Sequence, residues 1–219
     1  MATAATAPTP PARHAARATR SAGRRTRSAL LDAAARLFGD RGLADVSLTE
    51  IAAAADAFPS QVTYYFGSKE ALFVEAACRE VLHAAAGVEA AGRRTRTKDQ
   101  YARRLTAVAL DSPALPVFAE ALLLARRRED LRPLIVRTLD RLHHEGARAV
   151  AERCRAQGWT LSAPPVAVAR AFWATVLGIT MESAGAGDAF DLPAAHAAVL
   201  ATLSSEYPST LATTRARRP

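Results

Sequence analysis

A chain of 219 residues with two cysteines is long enough for one substantial core, or for a small head on a larger body, and it is not a disulfide-built scaffold. Half of it is hydrophobic, but no uninterrupted apolar run reaches membrane-spanning length and no secretory apolar core follows the N-terminus, so a reducing cytoplasm is expected and a membrane is not. The net charge of +8 is concentrated at the ends: Arg13, Arg17, Arg20, Arg24, Arg25, Arg27, Arg215, Arg217 and Arg218 are nine of 29 basic residues, leaving 20 against 21 acids, so bulk charge does not make the body a nucleic-acid binder.

Residues 1–23, rich in Ala, Thr and Pro, carry too few large apolar groups to offset the entropy of ordering them, and a disordered basic arm is expected. Its arginines either raise nonspecific attraction to DNA or reach a minor groove. A helix follows over about 25–40, with Leu30, Ala34, Leu37 and Phe38 on one face and Gly39 to Gly42 ending it. Thr26 and Arg27 fall at its expected start, where a hydroxyl, a cation and free backbone N–H groups suit a phosphate.

The next stretch, SLTEIAAAADAFPSQVTYYFGSK over 47–69, reads as two short helices meeting at a turn. Ser47 lies three residues before Glu50, the spacing of a capping box, and Leu48, Ile51, Ala52 and Ala55 give a narrow apolar face. Pro59 suits a first helical turn. After it, Ser60, Gln61, Thr63 and Tyr64 can hydrogen-bond to phosphates or base edges, while Val62, Tyr65 and Phe66 can pack inward. Gly67 breaks that helix and Ser68 can cap another.

Ile51-Ala52, the run from Phe58 to Phe66 and the run from Gly67 to Leu72 closely resemble the helix-turn-helix signature of the TetR family of bacterial repressors. With Ala33 to Phe38 and Arg41-Gly42-Leu43, the likeness covers roughly a quarter of the chain. It implies base contacts from Ser60, Gln61 and Thr63, phosphate or thymine-methyl contacts from Tyr64 and Tyr65, a phosphate held by Lys69, and further backbone contacts from Thr26, Arg27, Ser47 and Thr49. The pattern departs at two places: Asp56 stands where the turn usually has glycine, and Phe58 where it has a small polar residue. Asp tolerates a left-handed backbone at modest cost.

No alternating β-branched run interrupts the rest, so the fold class is all-α, about nine helices in all. A lever helix is expected from Ser68 to about Val88, then a basic loop over 87–98, and helices over about 99–110, 116–128 and 130–157, the last stopped by Gly158. A helix opened by Pro164-Pro165 and a last one over about 194–206 complete the body. The expected domains are 1–23 arm, 24–68 helix-turn-helix head, 69–207 ligand-binding and dimerisation body, and 208–219 basic tail. The final helix pair is suited to forming half of a four-helix bundle with a second copy.

The resemblance implies a homodimer on paired operator half-sites of double-stranded DNA, a small-molecule inducer in the body, and release of DNA when the lever helix shifts. Candidate pocket walls are Phe73, Phe118, Leu122, Leu139, His143, Phe172 and Trp173. Candidate dimer contacts are Val176, Ile179, Ala195, Val199 and Thr202. No cofactor, metal or catalytic activity is expected: His143 and His144 point about 100° apart on a helix, no nucleophile elbow, Walker loop or zinc signature is present, and Cys78 and Cys154 read as packing residues. The run Arg126 to Asp130 reads as a solvated helix end. Two other readings remain open: a helical carrier or enzyme with a vestigial head, and a nonspecific architectural binder driven by the terminal arginines.

Overall fold

The computed structural model of the protein describes residues 13–161 and 163–204, in which every regular element is helical. These are α1 (Arg13–Arg41), α2 (Leu48–Ala54), α3 (Pro59–Phe66), α4 (Lys69–Gly92), α5 (Lys98–Leu110), α6 (Ala114–Arg127), α7 (Arg132–Gln157), α8 (Pro165–Ala186) and α9 (Leu192–Ser204). Short 3-10 turns at Glu129–Leu131 and Gly187–Ala189 precede α7 and α9. Residues 1–12 of the expected arm, and the tail over 208–219, lie outside the described residues.

The first helix is longer than its apolar face suggests. Beyond Pro11 the segment is rich in alanine and arginine, two of the best helix formers, and contains no proline. It is therefore helical from Arg13, so residues 13–23 belong to α1 rather than to an arm. At its other end α4 runs to Gly92, and the expected basic loop shrinks to the five residues 93–97, the last of which, Thr97, accepts from the Gln100 N–H through Oγ1 at 3.2 Å and caps α5.

The chain divides into two compact units, one ending at Phe73 and one starting at Val74. In the first, α1 packs on α2 and α3 around Leu30, Ala33, Ala34, Phe38, Val46, Ile51, Ala52 and Val62, all buried. The boundary falls five residues after the expected one, 68/69, because the first turn of α4 belongs to the head core. Leu72 and Phe73 have no exposed surface, and the Phe73 ring meets Phe38 edge to face with centroids 5.1 Å apart. Lys69 is tied to the same unit by two hydrogen bonds, from Nζ to the carbonyls of Leu43 and Val46 at 2.9 and 3.0 Å.

In the second unit α8 is the central element, packed against α5, α6, α7 and α9. Val168, Ala169, Phe172, Trp173, Val176, Leu177 and Ile179 are buried along it, and each large apolar side chain so placed contributes about 1.5–3 kcal/mol. The α7–α8 contact is close because Gly146 has no side chain: a Cβ there would stand 3.2 Å from that of Ala169. Gly158 ends α7 with φ +67°, in the left-handed conformation expected of it.

Candidate nucleic-acid interface and body cavity

The expected capping box at the start of α2 is formed. Ser47 Oγ accepts from the Glu50 N–H at 3.2 Å and donates to Glu50 Oε2 at 2.7 Å, while the Ser47 N–H donates to the same oxygen at 2.8 Å. Arg41 Nη1 donates to Glu50 Oε1 at 2.9 Å, so the end of α1 is fastened to the start of α2. Ser47 is thereby engaged in the cap, whereas Thr49 is exposed beside it.

The Ser47 hydroxyl, the Ser47 N–H and Arg41, in that order, pull the Glu50 carboxyl down to about 2 from an ordinary 4.5. A depressed carboxyl stabilises the fold above its unfolded value and loses that contribution as pH falls toward its folded value. Wild type is therefore expected to be more stable than Glu50→Gln above about pH 4.5, and the advantage should vanish as pH falls toward about 2. Thermal melts of both proteins across that range check it; a constant difference would contradict it.

The turn places Asp56 at φ 49°, the left-handed region that its departure from glycine demanded. Phe58 then precedes α3 as its N-cap with 74 % of its surface exposed. Having no acceptor, Phe58 cannot cap with its side chain; instead Gln61 Oε1 accepts the Phe58 N–H at 2.9 Å. Gln61 is thus half a capping box as well as a candidate reader, and the group it leaves for a base edge is its amide NH2, a donor.

Val62 is fully buried and fixes the rotation of α3, so Ser60, Thr63 and Tyr64 face outward together, Tyr64 with 80 % of its surface exposed. Tyr65 differs from its neighbour. It is half-buried, and a Cβ on Gly23 would meet its hydroxyl at 3.1 Å, so it packs on α1. Arg27 lies over the Phe66 ring at 4.7 Å. Thr26 sits well inside α1, its hydroxyl donating to the Ala22 carbonyl at 3.2 Å. The free backbone N–H groups expected around Thr26 and Arg27 are therefore absent, because α1 begins a dozen residues earlier. Lys69 is likewise directed at backbone carbonyls of its own unit.

Among the described residues, two of the seven expected pocket walls border the inner cavity of the body. Phe172 and Trp173 face an inner space of about 50 Å³ together with Val88, Tyr101, Leu105, Leu142, Gly146 and Val168. Phe73 is head core, as described above. Phe118 is fully buried in α6, and Leu122, Leu139 and His143 border neither this cavity nor the adjoining one. His143 is held below its ordinary value by burial and then by Arg170, and its Nδ1 is buried without a partner. The adjoining cavity, about 190 Å³, is bordered by charged side chains, Glu89, Arg93, Glu152 and Arg153, with Tyr101. Tyr101 belongs to both, and burial pushes its phenol up to about 12, so it stays a neutral donor.

The described residues expected at a dimer contact lie inside the single chain. Val176 and Val199 have no exposed surface and Ile179 and Ala195 are buried, all within one chain's own core. The side chain of Thr202 lies outside what is described. Among the described residues, the two helices expose several alanines, Ala174 on α8 and Ala194, Ala197, Ala198 and Ala201 on α9, beside the larger Val166, Met181 and Leu192.

This head and body match known proteins over most of the chain. Residues 30–76 match the model of bacterial regulatory proteins of the tetR family, and residues 98–202 match that of the C-terminal part of bacterial transcriptional repressors. A solved protein assigned as a transcriptional regulator, from Rhodococcus sp. RHA1, is 37 % identical, with a TM-score of 0.71 over 81 % of this chain and 93 % of that one. The chain belongs to the TetR family. It is a DNA-binding transcriptional regulator, and α2 and α3 are its helix-turn-helix.

A TetR-family regulator of Mesorhizobium loti MAFF303099 shares the fold at 21 % identity, with a TM-score of 0.62 over 83 % of this chain and 94 % of that one. The HTH-type transcriptional regulator BetI of Rhizobium meliloti (strain 1021) is 48 % identical over 48 residues, 22 % of this chain and 24 % of its own length. The alignment thus spans about a quarter of that curated relative.

Proposed function

We propose that this TetR-family chain is a non-enzymatic repressor that acts in the bacterial cytoplasm as a homodimer, reads paired operator half-sites with α3, and is released when a small molecule enters the body. The observation that carries this reading is the uncharged polar face of α3: Ser60, Thr63 and Tyr64 exposed side by side on a helix whose rotation is fixed by buried Val62. Such a face offers little nonspecific attraction, so its use is in contacts to base edges and in register along the backbone. Ser60, Thr63 and the Gln61 amide are the readers, with Tyr64 and Thr49 on phosphates or a thymine methyl. Lys69, Ser47, Thr26 and Tyr65 support the head that presents them. Attraction to the duplex comes chiefly from the arginines of α1, of which Arg24 and Arg25 are exposed.

One α3 per chain reads half a site, so two copies are needed for a two-fold operator. In our reading the copies meet through the exposed small residues of α8 and α9, with Ala174 and Ala198 near the contact. At a two-fold interface an introduced arginine lies close to its own copy, and like charges brought together cost several kcal/mol. Ala174→Arg is expected to sediment as a folded monomer and to protect only half of an operator from cleavage. A dimer of unchanged affinity would contradict this placement, and wild-type monomers would contradict the paired reading itself. Transmission is assigned to α4, which starts in the head unit at Lys69, borders the body cavity at Val88 and Glu89, and ends at Gly92.

A further inference from the structure

The two body cavities carry a chemical asymmetry. The inner one is walled by rings and aliphatic groups, including Trp173, Phe172, Leu105 and Leu142. The outer one holds charges, and the carboxylates that border the two spaces already have cations: Glu89 with Arg93 at 3.0 Å, Glu145 with Arg141 at 2.8 Å and Glu152 with Arg148 at 3.7 Å. Arg153 is different. Its guanidinium lies over the Trp159 ring at 5.4 Å, its Nε is buried without a hydrogen-bond partner, and among the described residues no carboxylate is within ion-pair distance. A buried N–H on a permanent cation is costly to leave unmade. Lys98 adds a second positive charge at this end, its Nζ donating to the Thr160 carbonyl at 3.3 Å.

We propose that these joined cavities are the binding site of an amphipathic organic anion, its apolar part against Trp173 and Phe172 and its carboxylate held by Arg153. The inference rests on the reading of the body as the ligand-responsive part and names the ligand's class. A cation is disfavoured because it would have to break one of three existing ion pairs, whereas an anion supplies the partner that Arg153 lacks. The inner space of about 50 Å³ does not admit a ring as it stands, since roughly 150 Å³ accommodates benzene. Entry therefore displaces Tyr101, the one ring among the three residues, with Glu89 and Ala149, that border both cavities. Tyr101 lies directly on Gly92 at the end of α4, where a Cβ would come within 2.4 Å of its ring, so the displacement is felt at the lever helix.

The two tryptophans of the chain, Trp159 and Trp173, flank the outer and inner parts, so their fluorescence reports occupancy. The full chain, without DNA, is titrated with 4-phenylbutanoate, 4-phenylbutan-1-ol and 4-phenylbutylamine. The acid is expected to saturate at a concentration roughly tenfold or more below the alcohol and the amine. Arg153→Gln should bring the acid to the level of the alcohol and leave the alcohol unchanged, Arg153→Lys should retain the preference for the acid, and Arg155→Gln, which removes an exposed cation nearby, should change nothing. Binding of the amine as tight as the acid, an acid preference untouched in folded Arg153→Gln, or no saturable binding of any probe would overturn the proposal. Operator release is measured separately: acid binding with no effect on DNA would count against the regulatory reading and leave the anion site standing.

Discussion

Phe73→Ala is expected to destabilise the head by about 3–5 kcal/mol, the usual cost of emptying a fully buried phenylalanine site. Phe73 has no exposed surface, and its ring is the edge-to-face partner of Phe38, so the substitution both opens a cavity and removes the aromatic contact. A pocket wall would behave differently. Shortening it would enlarge the ligand space and alter ligand affinity with modest effect on DNA binding. The position of Phe73 in the head unit predicts the reverse: operator binding lost and a low-temperature unfolding phase, with the fluorescence of Trp159 and Trp173 at the body cavity unchanged. Circular dichroism and tryptophan fluorescence followed through one melt separate these outcomes, and a single coincident shift of both signals would place Phe73 in the body after all.

Lys69→Ala is expected to cost about 1.5–3 kcal/mol, the range for hydrogen bonds from a charged donor. The ammonium holds the carbonyls of Leu43 and Val46, on the connection between α1 and α2, and its removal leaves both without that donor. Its effect on DNA follows from the same geometry. A lysine on a phosphate releases a counterion, and losing it flattens the salt dependence by about one unit; a lysine on carbonyls does not. Operator affinity of Lys69→Ala should therefore fall through the softened connection while the slope of log affinity against log salt stays that of wild type. A slope reduced by about one unit would restore the phosphate role that the resemblance implies.

The parts of this protein legible in its sequence are those fixed by local rules. The Ser47–Glu50 box, the left-handed Asp56, the Gly158 cap and the inward Val62 each follow from the chemistry of a few adjacent residues, and each is found in the structure. Errors arise where a side chain has two plausible neighbours. Helical periodicity marks Val176, Ile179 and Val199 as apolar but does not say whether the surface they face belongs to the same chain or to another. The same ambiguity put Phe73 in the body. The start of α1 is hard to read because its first turns carry no apolar face, and only propensity, a weaker signal, speaks for a helix there.

The cavity left a different trace. Size points to large residues such as Phe118 and Leu139 as its walls, yet a void forms where facing helices present small ones: Ala85 and Ala86 on α4, Gly146 and Ala149 on α7, Ala169 on α8. Close packing makes such a cluster of small residues the better signal, because leucines at those sites would fill the space. Arg153 carried no sequence signal at all, since an arginine on a polar helix is ordinarily solvated.

The most direct test of the central claim, that the outward face of α3 reads sequence, is binding of the purified chain to genomic fragments at two salt concentrations, wild type beside Ser60→Ala/Thr63→Ala. Both side chains are exposed, so the variant should fold as wild type does. Wild type is predicted to retain a small set of two-fold sequences at the higher salt, and the variant to lose or change that set while keeping its nonspecific affinity and salt slope. Selection of the same sequences by the variant would contradict the account.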